Sequence, residues 1–90
     1  MGYRVISVEP TPNPNALKFL LDGRISDKPV SFFSPEAGKG HALAEKLFAI
    51  QGVTSLLLLD DFVTVNKQAA AAWKSITPEV KRVLAETPGN

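Results

Sequence analysis

Three prolines at alternate positions interrupt the first third of the chain, in the run Pro10-Thr11-Pro12-Asn13-Pro14-Asn15. Each ring fixes its own φ, and each preceding residue (Glu9, Thr11, Asn13) is pushed toward extended backbone. A proline has no N–H to give to a ladder, so the run cannot lie inside a sheet. Whatever strand precedes it must stop at Pro10. The expected object is a stiff, polyproline-like arm with spare carbonyls and polar side chains. Asn15 tolerates a left-handed or Asx-turn conformation that swings the chain into the apolar residues that follow.

On either side of the arm the pattern is that of strands. Tyr3–Glu9 carries β-branched Val5, Ile6 and Val8. Leu17–Leu21 alternates, with Leu17, Phe19 and Leu21 on one face and Lys18 and Leu20 on the other. Asp22-Gly23 reads as a turn, and Val30-Ser31-Phe32-Phe33 as a short extended piece. From Ala42 the period becomes helical, with Leu43, Leu47 and Ile50 at i, i+4 and i+7, and Gly52 stands where a left-handed helix cap is expected. Val53–Leu59 and Phe62–Lys67 are two strands across a tight Asp60-Asp61 turn. A closing helix is expected from N-cap Thr77, with Pro78 at its first position, Glu79 in its first turn and Val80, Val83 and Leu84 as its apolar stripe, stopped by Pro88-Gly89. The predicted architecture is α+β: a two-layer ββαββα sandwich with a four-stranded antiparallel sheet and both helices on one face. Ninety residues build one hydrophobic core, so residues 1–90 are read as a single domain.

Composition narrows the function. Ten Lys and Arg against nine Asp and Glu leave a net charge of +1, with no basic stripe, so no nucleic-acid partner is expected. The chain contains no cysteine, which removes disulfides, a thiolate nucleophile and thiolate-held metal or clusters from its own chemistry. With a single histidine and no carboxylates at ligand spacing, neither a metal nor a cofactor is expected. No segment reads as a secretion signal, and the aliphatic run Leu56–Leu59 is too short to cross a bilayer, so a cytoplasmic location without a membrane partner is expected.

The candidate contact residues are Thr11, Asn13, Asn15, Lys18, Thr64 and Lys67. The first three can offer hydrogen bonds from a pre-ordered arm, or satisfy local backbone groups as turn residues usually do. Lys18 offers a charge to an acidic or phosphorylated partner, or is a solvated strand lysine. Thr64 and Lys67 extend a binding face, or are the polar alternates of a half-exposed strand. His41, beside Gly40, fits a helix cap better than an acid–base role, because no nucleophile stands in motif spacing. Asp60 and Asp61, being adjacent, are turn residues rather than a catalytic pair. Trp73 reads as a core anchor. With no phosphate loop and no paired acid and base, the chain is not expected to be an enzyme.

Three separated segments, Thr11–Phe19 (TPNPNALKF), Leu47–Val53 (LFAIQGV) and Asp61–Lys67 (DFVTVNK), together resemble the N-terminal domain of the Nfu family of iron–sulfur scaffold proteins. The run Trp73–Val80 (WKSITPEV) looks like that domain's entry to its closing helix. Two positions depart from the pattern: the family commonly opens its first helix with Ser-Pro, where His41-Ala42 stands here, and often has Gly where Leu59 stands. Family scaffolds hold their cluster on a separate C-terminal domain through Cys-x-x-Cys, a motif absent here. The resemblance therefore implies a non-catalytic interaction domain, accessory to cluster assembly or repair, without a cluster of its own. It implies as partner an iron–sulfur carrier, scaffold or client protein. The alternative from the residues alone is a phosphopeptide- or anion-binding module outside that pathway, built on Lys18 and the arm.

Overall fold

In the computed structural model, residues 2–88 are described. Five strands, β1 (Val5–Pro10), β2 (Ala16–Leu21), β3 (Ser26–Phe32), β4 (Val53–Asp60) and β5 (Phe62–Lys67), form one antiparallel sheet in the order β1-β2-β5-β4-β3. Between β3 and β4 come a 3₁₀ turn, Pro35–Gly38, and the helix α1 (Ala42–Phe48); α2 (Trp73–Glu86) follows β5. The sheet thus has five strands rather than the expected four. The added strand is β3, of which only the Val30–Phe33 end was legible. Its first half is Ser26-Asp27-Lys28-Pro29, polar residues and a proline that are tolerated because β3 is an edge strand.

Register sorts the two faces. Across the sheet, Val8, Phe19, Val63, Leu58 and Val30 stand in one row, and Pro10, Leu17, Val65, Leu56 and Phe32 in the next. These rows meet Leu43 and Leu47 of α1 and Ile76, Val80, Val83 and Leu84 of α2 in a single core. Both helices therefore lie on one face, as expected. Phe19, Leu47, Val63, Val65, Val80 and Leu84 are wholly enclosed there, each such side chain contributing about 1.5–3 kcal/mol by leaving water. The opposite rows, Ser7–Leu20–Phe62–Leu59 and Glu9–Lys18–Thr64–Leu57–Ser31, lie under no helix.

The element ends depart from the local pattern. The first strand begins at Val5, not Tyr3, because the Tyr3 N–H is given to Leu84 O at the end of α2 (2.9 Å). Gly2 lies so close to the Ala85 backbone that a Cβ there would overlap it. The second helix starts at Trp73 with Ala72 as N-cap, not at Thr77, and Pro78 is its sixth residue. Ser75 and Ile76 donate to Ala72 O (3.1 and 3.3 Å), so the extra turn is closed by backbone bonds alone, with no side-chain cap. Of the expected Pro88-Gly89 stop, Gly89 lies outside the described residues. Gly52 does take a positive φ (+100°), but four residues after Phe48, in the turn closed by Val53 N–H on Ile50 O (3.2 Å) rather than as the helix cap. His41 caps α1: its Nδ1 accepts the Ala44 N–H at 3.2 Å, and its ring stands edge-on to Phe32 (centroids 5.1 Å apart).

The Asp60-Asp61 turn is as tight as expected, joining the partnered residues Leu59 and Phe62, with Asp60 at φ +49°. Leu21 and Ile25 donate to Asp61 O (2.7 Å) and Asp60 O (2.6 Å), so the β2–β3 crossover is tied beneath this turn.

Candidate docking surface

The arm is built from its own side chains. The Thr11 hydroxyl accepts the Asn13 N–H (3.1 Å) and lies within reach of Asn13 O (2.9 Å) and Ala16 O (3.1 Å), to either of which it donates. Asn13 Oδ1 accepts the Asn15 N–H at 2.9 Å, an Asx turn, and Ala16 N–H closes on Asn13 O at 3.0 Å. The prolines leave few backbone donors to satisfy, and these bonds satisfy those of Asn13, Asn15 and Ala16.

The end of the arm is clasped to the body. Lys67 N–H donates to Asn15 O (2.8 Å), and the Lys67 ammonium donates to Asn15 Oδ1 (3.1 Å) and Gln68 O (3.2 Å). That ammonium lies 5.7 Å from the centre of the Trp73 ring, within cation–π range, and the indole N–H of Trp73 donates to Pro14 O at 3.1 Å. Trp73 is therefore only partly a core residue: it packs on the core's edge and holds the arm. Sequence reading missed this because Pro14 and Trp73 are 59 residues apart and no local pattern joins them.

The six candidate residues divide. Asn15 and Lys67 meet on the helix-bearing side, with Thr11 and Asn13 folded into the loop above them. Lys18 and Thr64 are direct partners on β2 and β5 and stand on the open face, the Lys18 ammonium 4.3 Å from the centre of the Phe62 ring. Lys18 therefore does not join the arm's hydrogen-bonding groups in one anion site. Pro12, Asn13 and Pro14 are exposed, giving the rigid arm an outward edge.

Among the described residues no three His, Cys, Asp or Glu side chains are grouped so as to hold a metal ion, and no buried side-chain N or O atom lacks a partner. The Arg82 guanidinium, hydrogen-bonded to Glu79 and near the charge of Glu86, is held above its ordinary pKa in an exposed cluster on α2. No described helix is long and apolar enough to cross a membrane.

Comparison with known proteins bears on the family and the fold. The family model described as scaffold protein Nfu/NifU N terminal matches residues 6–88. An NFU1 iron–sulfur cluster scaffold homolog, mitochondrial, of Drosophila willistoni is 38% identical over 90 residues, covering 96% of this chain and 31% of that protein. A NifU-like protein of Schizosaccharomyces pombe is 41% identical over 88 residues, covering 94% and 34%. The chain thus spans about a third of the length of these curated relatives. Among solved structures, a NifU-like protein of Saccharomyces cerevisiae superposes with a TM-score of 0.77 at 33% identity, over 92% of this chain and 78% of that one. A Staphylococcus aureus protein superposes at 0.73 with 27% identity, over 89% and 96%.

Proposed function

Because the chain belongs to the family of Nfu/NifU scaffold N-terminal domains, we propose that it is a non-catalytic interaction domain accessory to iron–sulfur cluster assembly or repair. The observation that carries this reading is the family match over residues 6–88 in a chain without a single cysteine. Thiolate ligands for a cluster then come from the partner: a carrier, scaffold or client protein that this domain docks. Thr11, Asn13, Asn15, Lys18, Thr64 and Lys67 are the proposed contact residues. The clasp on Trp73 supports Thr11, Asn13, Asn15 and Lys67 among them, since an arm already ordered loses little entropy on binding. A cytoplasmic site of action belongs to the same proposal; the fly relatives are mitochondrial by name.

The test is a ¹H–¹⁵N NMR titration of the domain with apo and cluster-loaded forms of a Cys-x-x-Cys carrier protein. The expected result is a set of shifts confined to residues 11–18 and 64–67. Absence of shifts with either form, together with no iron–sulfur protein captured from extract, refutes the reading.

A further inference from the structure

The open face of the sheet is not a uniform polar surface. Among the described residues the exposed large apolar side chains are Ile6 (60%) and Phe33 (84%), and both flank this face. Ile6 is the extra residue of a bulge between Val5 and Ser7, which sets Ile6 and Ser7 together against Leu20. Phe33 is the first residue after the end of β3, exposed beside buried Phe32 at the opposite corner, beyond Ser31. Between them lie half-buried Leu20, Phe62, Leu59 and Leu57, making a diagonal apolar band from β1 to β3.

We propose that this band is the seat of a single amphipathic helix of a partner protein, one that carries a carboxylate beside its apolar stripe. The proposal rests on the reading of the chain as a docking domain and adds the surface and the chemistry of what docks there.

Dimensions select the occupant. Four strand spacings of about 4.8 Å and an offset of four residues along the strands give a band of roughly 23 Å. That is the length of a helix of about 15 residues. Polar Glu9, Lys18 and Thr64 border the band on one side, so the apolar strip is one helix wide, unlike the opposite face that holds two.

Charge selects the rest. Among the described residues Lys18 takes part in no ion pair, not even with Glu9 across the ladder; its ammonium instead covers the Phe62 ring. A carboxylate arriving beside the band gives Lys18 a charge-assisted hydrogen bond and draws it off Phe62, baring the ring for the helix's apolar stripe.

The test uses a helix-stapled 15-residue peptide with leucines at i, i+3, i+4 and i+7 and glutamates along one border. Its control carries lysines in place of the glutamates. In NMR titrations of the whole chain, the glutamate peptide is expected to shift Leu20, Leu57, Leu59 and Phe62 and to bind about tenfold tighter than the lysine peptide. The double variant Ile6→Ser/Phe33→Ser, which alters only exposed side chains, is expected to weaken it at least about tenfold. Equal affinity of the two peptides, shifts on the helix-bearing side, unchanged binding by the double variant, or a dimer by sedimentation at the same concentration would each overturn the proposal. Capture of iron–sulfur proteins equally by wild type and double variant sinks this surface and leaves the functional reading standing. Peptide binding here without such capture does the reverse.

Discussion

Removing the arm's side chains one at a time separates its structural work from recognition. Thr11→Ala deletes a hydroxyl that accepts the Asn13 N–H and donates toward Asn13 O or Ala16 O, in a half-buried site. Two modest bonds at that burial contribute about 1–1.5 kcal/mol. Asn15→Ala removes the acceptor of the Lys67 ammonium, which keeps Gln68 O, the Trp73 ring and solvent, so the loss is about 1 kcal/mol. Asn13→Ala removes one exposed acceptor and leaves the Asn15 N–H to water, costing about 0.5 kcal/mol. At about 4–8 °C per kcal/mol for a chain of this size, thermal unfolding followed by circular dichroism should rank the three Thr11, Asn15, Asn13 in order of decreasing damage. None should unfold the protein. If Asn13→Ala then weakens carrier binding far more than Thr11→Ala does, the exposed arm is a contact and not only a joint. A loss above about 3 kcal/mol for Asn13→Ala, or an inverted ranking, would refute the geometry described for the loop.

Three further outcomes are expected. Gly52→Ala should destabilise by about 1–2 kcal/mol or more, since it forces an L residue to φ +100° and brings its Cβ to 2.8 Å from the Ala71 Cβ and 3.3 Å from Ile76 Cδ1 of α2; urea unfolding measures this, and a neutral result would contradict the packing of Ala71 and Ile76 on that turn. His41→Ala should cost about 1 kcal/mol through the lost cap on Ala44, and His41→Ser should recover most of it; equal loss in both would assign the effect to the Phe32 ring contact instead. In a double-mutant cycle on stability, Asn15→Ala and Lys67→Met should couple, whereas Asn15→Ala and Lys18→Met, on opposite sides of the sheet, should add to within about 0.5 kcal/mol.

What could be read from the chain alone follows from how local each cause is. The strand phase of Leu17–Leu21, the Asp60-Asp61 turn and the α1 period are set by neighbours in sequence; the first two stand in the structure, and of the third Leu43 and Leu47 lie in α1 while Ile50 falls just past its end. Residues 26–29 carry no strand signal, because the edge they occupy is protected by polar residues and a proline chosen against pairing. The early start of α2 was hidden because Pro78 looks like a first-turn residue, while the turn before it is secured by Ala72 carbonyl bonds and by Trp73 reaching Pro14. One part of the open face is legible in the chain. Phe32 and Phe33 are adjacent, and in extended backbone adjacent residues cannot share a face, so one aromatic had to point away from the core.

Numbering along the chain groups Asn15 with Lys18, three residues away, but the pleat sends them to different sides: Asn15 to Lys67 and Trp73, Lys18 to Phe62 and Thr64. The chain therefore presents two surfaces with different chemistry, a polar arm held rigid by a tryptophan and an apolar band covered by a lysine. A partner that uses both must wrap the β1–β2 end of the sheet; a partner that uses one leaves the other free for a second protein. Titrating the carrier first and the acidic helical peptide second distinguishes these cases, since two independent surfaces bind both ligands at once with unchanged affinity.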